Sequence, residues 1–417
     1  MTDKTSRRMF RSLQTFNFKV YCAGQSVSLV GGWMQGVAQS WLVLDLTGSS
    51  FALGLVVAAQ FLPLLLAGPY GGLIADRSDK IRLLKVTQSA LALLALMSGI
   101  LTAAGAMRLW ILVLLALALG AVNAVDMPTR QTFLPELVGV EMLREAISIN
   151  SMMMNAARAV GPALAGILIA SFGVESCFMA NAASFIPILM ALRFLRTDQL
   201  QPALKAGKAS GQLLAGLRYV RETGALALPL AMMALIGTLA YEFQVVFPAL
   251  AQAGFHGGAR TYGFMTSAVG AGAVCGGLYS ATRGRAGIIP LAKAAAMFSV
   301  TLTAVATISS LFVELIALFF VGVSSTMFLT IGSSTLQIVA DPTFRGRVMG
   351  LWTVAFSGST CVGGPVIGYV VQYFGARQGV GVGAIACLIA VILGWISLPR
   401  IIEEHRFLER RTSERAS

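Results

Sequence analysis

Apolar runs of about twenty residues recur along the whole chain, separated by short polar stretches. A helix crossing a hydrocarbon core of about 30 Å needs about 20 such residues. Read at that length, the pattern predicts spans near 20–43, 51–74, 82–104, 109–131, 145–171, 175–195, 226–250, 261–282, 286–309, 312–338, 347–373 and 378–399. Twelve spans bring the chain back to the side on which it began. One longer polar stretch, 198–225, interrupts the series with Pro202, Lys205, Lys208, Arg218 and Arg221. Inside it Leu213, Leu214, Leu217 and Val220 recur at helical spacing, which predicts an amphipathic helix lying on a membrane surface.

The predicted organisation is therefore all-α: a six-helix bundle over 1–197, a basic linker over 198–225, a second six-helix bundle over 226–400 and a tail over 401–417. Of the 31 Lys and Arg, only Arg108, Arg260 and Arg377 fall in odd-numbered loops, and Arg158 falls inside a span. All the others lie in the N-terminal segment, in the even loops or the span ends that adjoin them, in the linker or in the tail. The positive-inside rule then places both termini in the cytoplasm, in a multi-pass protein of the cell membrane.

Composition narrows the class. Hydrophobic residues make up 56% of the 417, charged residues 12%, and the mean hydropathy is +0.77. Water-soluble chains carry about a quarter charged residues. The net charge of +13 is explained by basic residues flanking the spans, so nucleic acid is not the expected partner. Cys22, Cys177, Cys275, Cys361 and Cys387 are scattered through apolar runs without a CxxC pattern, and His256 and His405 fall in loops or tails. Neither metal nor cofactor is expected. Arg7, Arg8 and Arg11 precede a first span too long for a signal-peptide core.

The two bundles resemble each other. Gly71-Gly72-Leu73 ends span two and Gly276-Gly277-Leu278 ends span eight; Gly161-Pro162 with Gly166 sits in span five, and Gly364-Pro365 with Gly368 in span eleven. Both pairs share nearly the same offset, which predicts duplication of a six-span unit. Membrane proteins built from such repeats place a substrate near the midplane, between the halves.

Polar stripes mark four spans. Span one carries Gln25, Ser28, Gln35 and Gln39 on one helical face, and span four carries Asn123, Asp126 and Arg130. Span seven carries Thr238, Tyr241, Glu242 and Gln244, and span ten Thr326, Thr330, Ser333 and Gln337. Such side chains avoid lipid. They predict either a shared polar cavity or hydrogen-bonded glue between helices. Asp126 and Arg158 lie deep in adjacent antiparallel spans and are expected to pair, as an ion pair of either functional or purely structural use. Glu242 has no basic neighbour in sequence and is either a candidate proton carrier or a carboxyl near the cavity mouth that stays solvated. Asp45, Glu175 and Glu314 fall at outer ends of spans and need no special role.

The segment Gly72-Leu-Ile-Ala-Asp76-Arg77-Ser-Asp79-Lys80-Ile-Arg82 resembles the loop 2–3 signature of the major facilitator superfamily, G-x-x-x-D-R-x-G-R-K, with Asp79 at the second Gly. Asp tolerates the left-handed turn that Gly would supply. The resemblance implies the two-bundle major facilitator fold and a gating role for Gly72, Asp76, Arg77, Lys80 and Arg82, with Asp76 beside the start of span eleven. Asn155-Ala-Ala-Arg158-Ala-Val-Gly161-Pro162-Ala-Leu-Ala-Gly166 resembles the span-five motif of its exporting branches, which implies hinge or sealing contacts at Gly161, Pro162 and Gly166 and, by the repeat, at Gly364, Pro365 and Gly368. The usual span-four Arg in an R-x-x-Q-G context is absent. Gly24-Gln25 through Gln35, Leu46-Thr47-Gly48-Ser49 and Arg345-Gly346-Arg347 are similar to a subgroup of siderophore and macrolide exporters. That implies export of a moderately large organic molecule driven by proton influx; a monomer is expected, with the organic substrate, protons and the bilayer as partners.

Two other readings compete. An importer of a small nutrient would share the fold and most polar stripes. An enzyme would need grouped catalytic residues or metal ligands, and no span holds a His or an obvious carboxylate pair. A non-transporting receptor on the same scaffold is the remaining class.

Overall fold

The computed structural model describes residues 11–201, 217–221, 223–283, 286–341 and 344–416. Among these residues the chain is helical, with no strand. The helices are α1 (Phe16–Thr47), α2 (Ser50–Arg77), α3 (Lys80–Ala103), α4 (Leu109–Val138), α5 (Leu143–Phe172) and α6 (Val174–Phe194), followed by α7 (Gly224–Ala240) and α8 (Phe243–Ala249). Then come α9 (Ala259–Arg283), α10 (Ile288–Thr307), α11 (Leu311–Val339), α12 (Arg345–Thr353), α13 (Ser359–Phe374) and α14 (Ala376–Ala416). π-helical turns follow α8, at Leu250–Gly254, and join α12 to α13, at Val354–Gly358.

Ten helical stretches are long and apolar enough to cross a membrane. Two further helices, α1 and α9, have the length but fall outside that set because their apolar residues are interrupted. In α1 the interruptions are the amides and serines of the polar stripe, and in α9 they are glycines, serines and threonines. Both are wedged between other helices, α1 against α5 and α6 and α9 against α5 and α11.

Local chemistry sets the ends of the helices. Gly48 closes α1 in the left-handed region at φ 61°, where a side chain would be strained, and Ser49 caps α2 by accepting the Ala52 N–H at 3.1 Å. Asp79 caps α3, its carboxylate accepting the Arg82 N–H at 2.8 Å. Its φ of −64° is ordinary extended backbone. The left-handed turn expected at Asp79 is therefore not made; the side chain stands in this loop as a helix cap.

In lipid the hydrophobic effect does not drive helices together, so close packing of small residues must do so. Two helix pairs join the first six spans to the rest, α5 with α9 and α2 with α13. A Cβ at Gly54 would run into the Gly364 backbone, one at Gly368 into that of Ser50 and Phe51, and one at Gly263 into Pro162 and Gly166. The Ser50 N–H also donates to Gln372 Oε1 at 2.8 Å. These contacts gather from the middle of the helices toward one end, where α2 and α9 begin and α5 and α13 finish. Gly161 serves differently from the expectation, since it packs on Trp33 and Val30 of α1 within the first six spans.

The buried side chains divide the same way. One cluster runs continuously through the second half and into the closed end of the first, with Met34, Leu53, Ile169 and Phe178 beside Phe247, Phe298 and Trp352. A separate cluster, with Phe18, Tyr21, Leu84, Phe133 and Ile188, belongs to α1, α3, α4, α5 and α6 at the opposite end. Of the predicted surface helix in the linker, Leu213 and Leu214 lie outside the described residues, while Val220 is buried.

Candidate functional site

A cavity of about 690 Å³ opens among α1, α2, α4, α5 and α6. Its polar wall comes from Gln25, Ser28, Gln35, Gln39 and Asn123, as the stripes predicted, together with Gln60, Gln131, Asn150 and Asn181, which had not been singled out. Gln60 and Asn181 find their places through partners. Gln39 Nε2 donates to Gln60 Oε1 at 3.1 Å, and Asn181 Nδ2 donates to Gln35 Oε1 at 2.5 Å. Lone amides in apolar runs of spans two and six gave no periodic signal. Their contribution depends on where neighbouring helices bring them.

Asp126 lies on the cavity wall but is 1% exposed. Its Oδ1 accepts from Thr87 Oγ1 at 2.6 Å and from Gln88 Nε2 at 2.7 Å, and Oδ2 pairs with Arg130 Nε at 2.5 Å. The pair expected with Arg158 is not made. Arg130 sits one turn away on the same helix, at the spacing that brings side chains together, and α3 supplies the remaining donors. Arg158 instead stands 5.7 Å from the centre of the Trp33 ring and within electrostatic reach of Tyr241.

The second-half residues sit differently. Thr238, Tyr241, Gln244, Thr330, Ser333 and Gln337 do not line this cavity. The Thr238 hydroxyl donates back to the Ala234 carbonyl and that of Ser333 to the Thr330 carbonyl, and Gln337 is exposed. Tyr241 donates to the Ser325 carbonyl at 2.6 Å, its ring against Phe243, Phe298 and Phe356. Of the two arrangements the stripes allowed, one hollow walled by both halves is not what these residues form.

The seventh span is broken. Helix stops at Ala240 and resumes at Phe243, with Tyr241 and Glu242 at the break and the Glu242 carbonyl accepting the Val246 N–H of the resumed helix at 3.1 Å. Glu242 is 2% exposed, bonds Thr360, and keeps Oε1 without a hydrogen-bond partner against Gly363. The π turn at Val354–Gly358 lies alongside and supplies Phe356. Interruptions in two spans thus face each other, as happens at functional sites in membrane helices. Glu314, expected at an outer span end, is fully buried with neither carboxylate oxygen hydrogen-bonded, and Arg377 is its nearest charge of note.

At the end of α2, Asp76 and Arg77 are exposed, and Lys80, at the start of α3, forms an ion pair with Glu136 at the end of α4. Gly72 is half-buried and Arg82 exposed. The Asp76 side chain forms no hydrogen bond or ion pair among the described residues.

Comparison with known proteins fits this geometry. The model of the transmembrane secretion effector family matches residues 9–412. The chain belongs to that family, within the major facilitator superfamily. Over 395 residues, 90% of this chain and 92% of the other, the transporter is 27% identical to the enterobactin exporter EntS of Salmonella choleraesuis. It is 31% identical over 176 residues to the staphyloferrin A transporter of Staphylococcus aureus, a match spanning 44% of that protein, and 31% identical over 232 residues to the multidrug efflux pump Tap of Mycolicibacterium fortuitum, spanning 54% of it. The chain thus covers about half the length of these last two relatives. A bacterial homologue of the lysosomal transporter Spinster, solved in an inward-facing, unoccupied conformation, superposes with a TM-score of 0.74 at 12% identity over 94% of this chain and 98% of its own. That likeness establishes the major facilitator fold. The transporter is a multi-pass membrane protein, and its curated relatives include siderophore and drug exporters.

Proposed function

We propose that this transporter is a proton-coupled exporter of a siderophore, antibiotic or similar organic compound, acting by alternating access as a monomer. Two six-helix bundles, 1–197 and 226–400, rock about the α5–α9 and α2–α13 contacts, joined by the linker at 198–225. With both termini cytoplasmic, the closed end is extracellular and the cavity faces the cytoplasm. The observation that carries this reading is the asymmetry of the glycine contacts: backbones meet at one end while an amide-walled cavity remains at the other. Export is supported by the nearly full-length similarity to an enterobactin exporter.

In the opposite state the cytoplasmic end closes. Asp76 then meets the start of α12, where a carboxylate complements the positive helix end, beside Arg345 and Arg347. Lys80, already tied to Glu136, holds its loop in place. Glu242 carries the proton. Its carboxyl sits at a helix break against the moving α13, so its protonation state alters how two spans pack.

The test is transport from proteoliposomes under an imposed pH gradient with a panel of organic compounds. Substrate leaving the compartment on the linker side as protons enter is expected. Gradient-driven accumulation on that side identifies a nutrient importer instead, and loss of all transport in folded protein identifies a receptor.

A further inference from the structure

Only Asp126 and Arg130 are charged among the residues lining the cavity, and at 2.5 Å they neutralise each other. The remaining lining is amide, hydroxyl and apolar. Gln25, Asn123 and Asn150 hydrogen-bond to no other described residue and offer donors and acceptors to the cavity. Just beyond one wall stands a cation, Arg158, that no described carboxylate neutralises. Arg158 lies one helical turn from Met154, which lines the cavity, and its guanidinium rests over Trp33, which lines it too. Among the described residues no carboxylate bonds to it. It is half-buried, with α1 on one side and the broken seventh span on the other, so it faces the protein interior rather than lipid. An unneutralised Arg at this depth is costly to keep, and a π-face offsets part of that cost.

We propose that Arg158 receives an oxyanion of the transported compound, so that the cavity selects organic anions: molecules joining an acidic group to a flat ring and a body rich in hydrogen-bonding groups. This rests on the transporter reading of the same cavity and adds to it the charge class of the substrate. The guanidinium fork fits an oxyanion with two parallel bonds, Trp33 offers the ring a stacking face, and the amides engage the polar body. The volume suits a drug-sized molecule.

Two xanthene dyes of similar size test the charge class: fluorescein, an anion near neutral pH, and rhodamine 123, a cation. Binding of each to the purified full chain in detergent is followed by fluorescence anisotropy. The wild type is expected to bind fluorescein at least tenfold more tightly than rhodamine 123. Arg158→Gln should weaken fluorescein at least tenfold while leaving rhodamine 123 unchanged or tighter, a split that a merely structural role would not produce. Equal affinity of the wild type for both dyes overturns the proposal, as does a Gln variant that keeps the anion preference. If that variant fails to fold, Arg158→Lys decides, because it keeps the charge and loses the fork. Weakening of fluorescein alone supports the proposal, and equal change for both dyes overturns it. No gradient is involved, so anion preference without gradient-driven transport defeats the exporter reading alone. Transport without anion preference defeats this inference alone.

Discussion

The two halves of the transporter carry similar polar residues on corresponding spans and put them to different uses. In the first half, Gln25, Gln35, Gln39 and Asn123 wall a cavity, and the amides that bond do so across helices, α1 to α2 and α1 to α6. In the second half, Thr238 and Ser333 return their hydroxyls to the turn before, and Tyr241 reaches a backbone carbonyl of α11. Charge separates the halves as well. Asp126 is surrounded by donors, whereas Glu242 has Thr360 and one unbonded oxygen. One half keeps its amides around open space, and the other satisfies its polar groups within its own helices or leaves them buried.

The largest effect should come from breaking the best-satisfied charge. Asp126→Ala leaves Arg130 without its carboxylate and Thr87 and Gln88 without an acceptor. Removing one partner of a buried pair costs about 3–5 kcal/mol, so a much lower melting temperature in detergent is expected; an unchanged one would show that the cavity wall does not depend on this network. Glu242→Gln keeps shape and removes the titrating group. Gradient-driven transport should fall at least tenfold with stability unchanged, and undiminished transport would move the proton to another carboxyl.

A smaller loss follows from Gln35→Ala, which strips Asn181 of its acceptor. Hydrogen bonds between membrane helices contribute about 0.6 kcal/mol on average, up to about 1.7, so thermal unfolding should shift by a few degrees, with weaker substrate binding. The smallest effect is expected at Ser333→Ala and Gln337→Ala, within about 0.5 kcal/mol in stability and without change in substrate affinity. A tenfold loss of affinity at either position would erase the contrast between the halves.

Much of this was legible beforehand. Hydropathy alone located the spans, and the glycine pairs Gly161/Gly364 and Gly166/Gly368 marked helices that pack closely. The stripe on α1 led directly to the cavity wall. The same stripe in α1, and glycines, serines and threonines in α9, weakened their hydropathy, so two helices packed against several neighbours look least like membrane spans. Gln60 and Asn181 were not legible, because a single amide in an apolar run carries no period. The partner of Asp126 was misread for a related reason. Depth in the membrane suggested Arg158, but one helical turn brings Arg130 within 2.5 Å.

The sequence by itself determined which segments are membrane helices, where their charged loops fall, and which polar faces must avoid lipid. Those properties follow from the cost of exposing backbone and charge to hydrocarbon, a cost each segment meets locally. Tertiary structure alone decided which stripe meets open space and which is satisfied within its own helix, which cation is neutralised, and that the seventh span breaks at Tyr241–Glu242 opposite a π turn. Those outcomes depend on which neighbour arrives at each face, and identical side chains on two helices have different energies when one faces water and the other a packed ring.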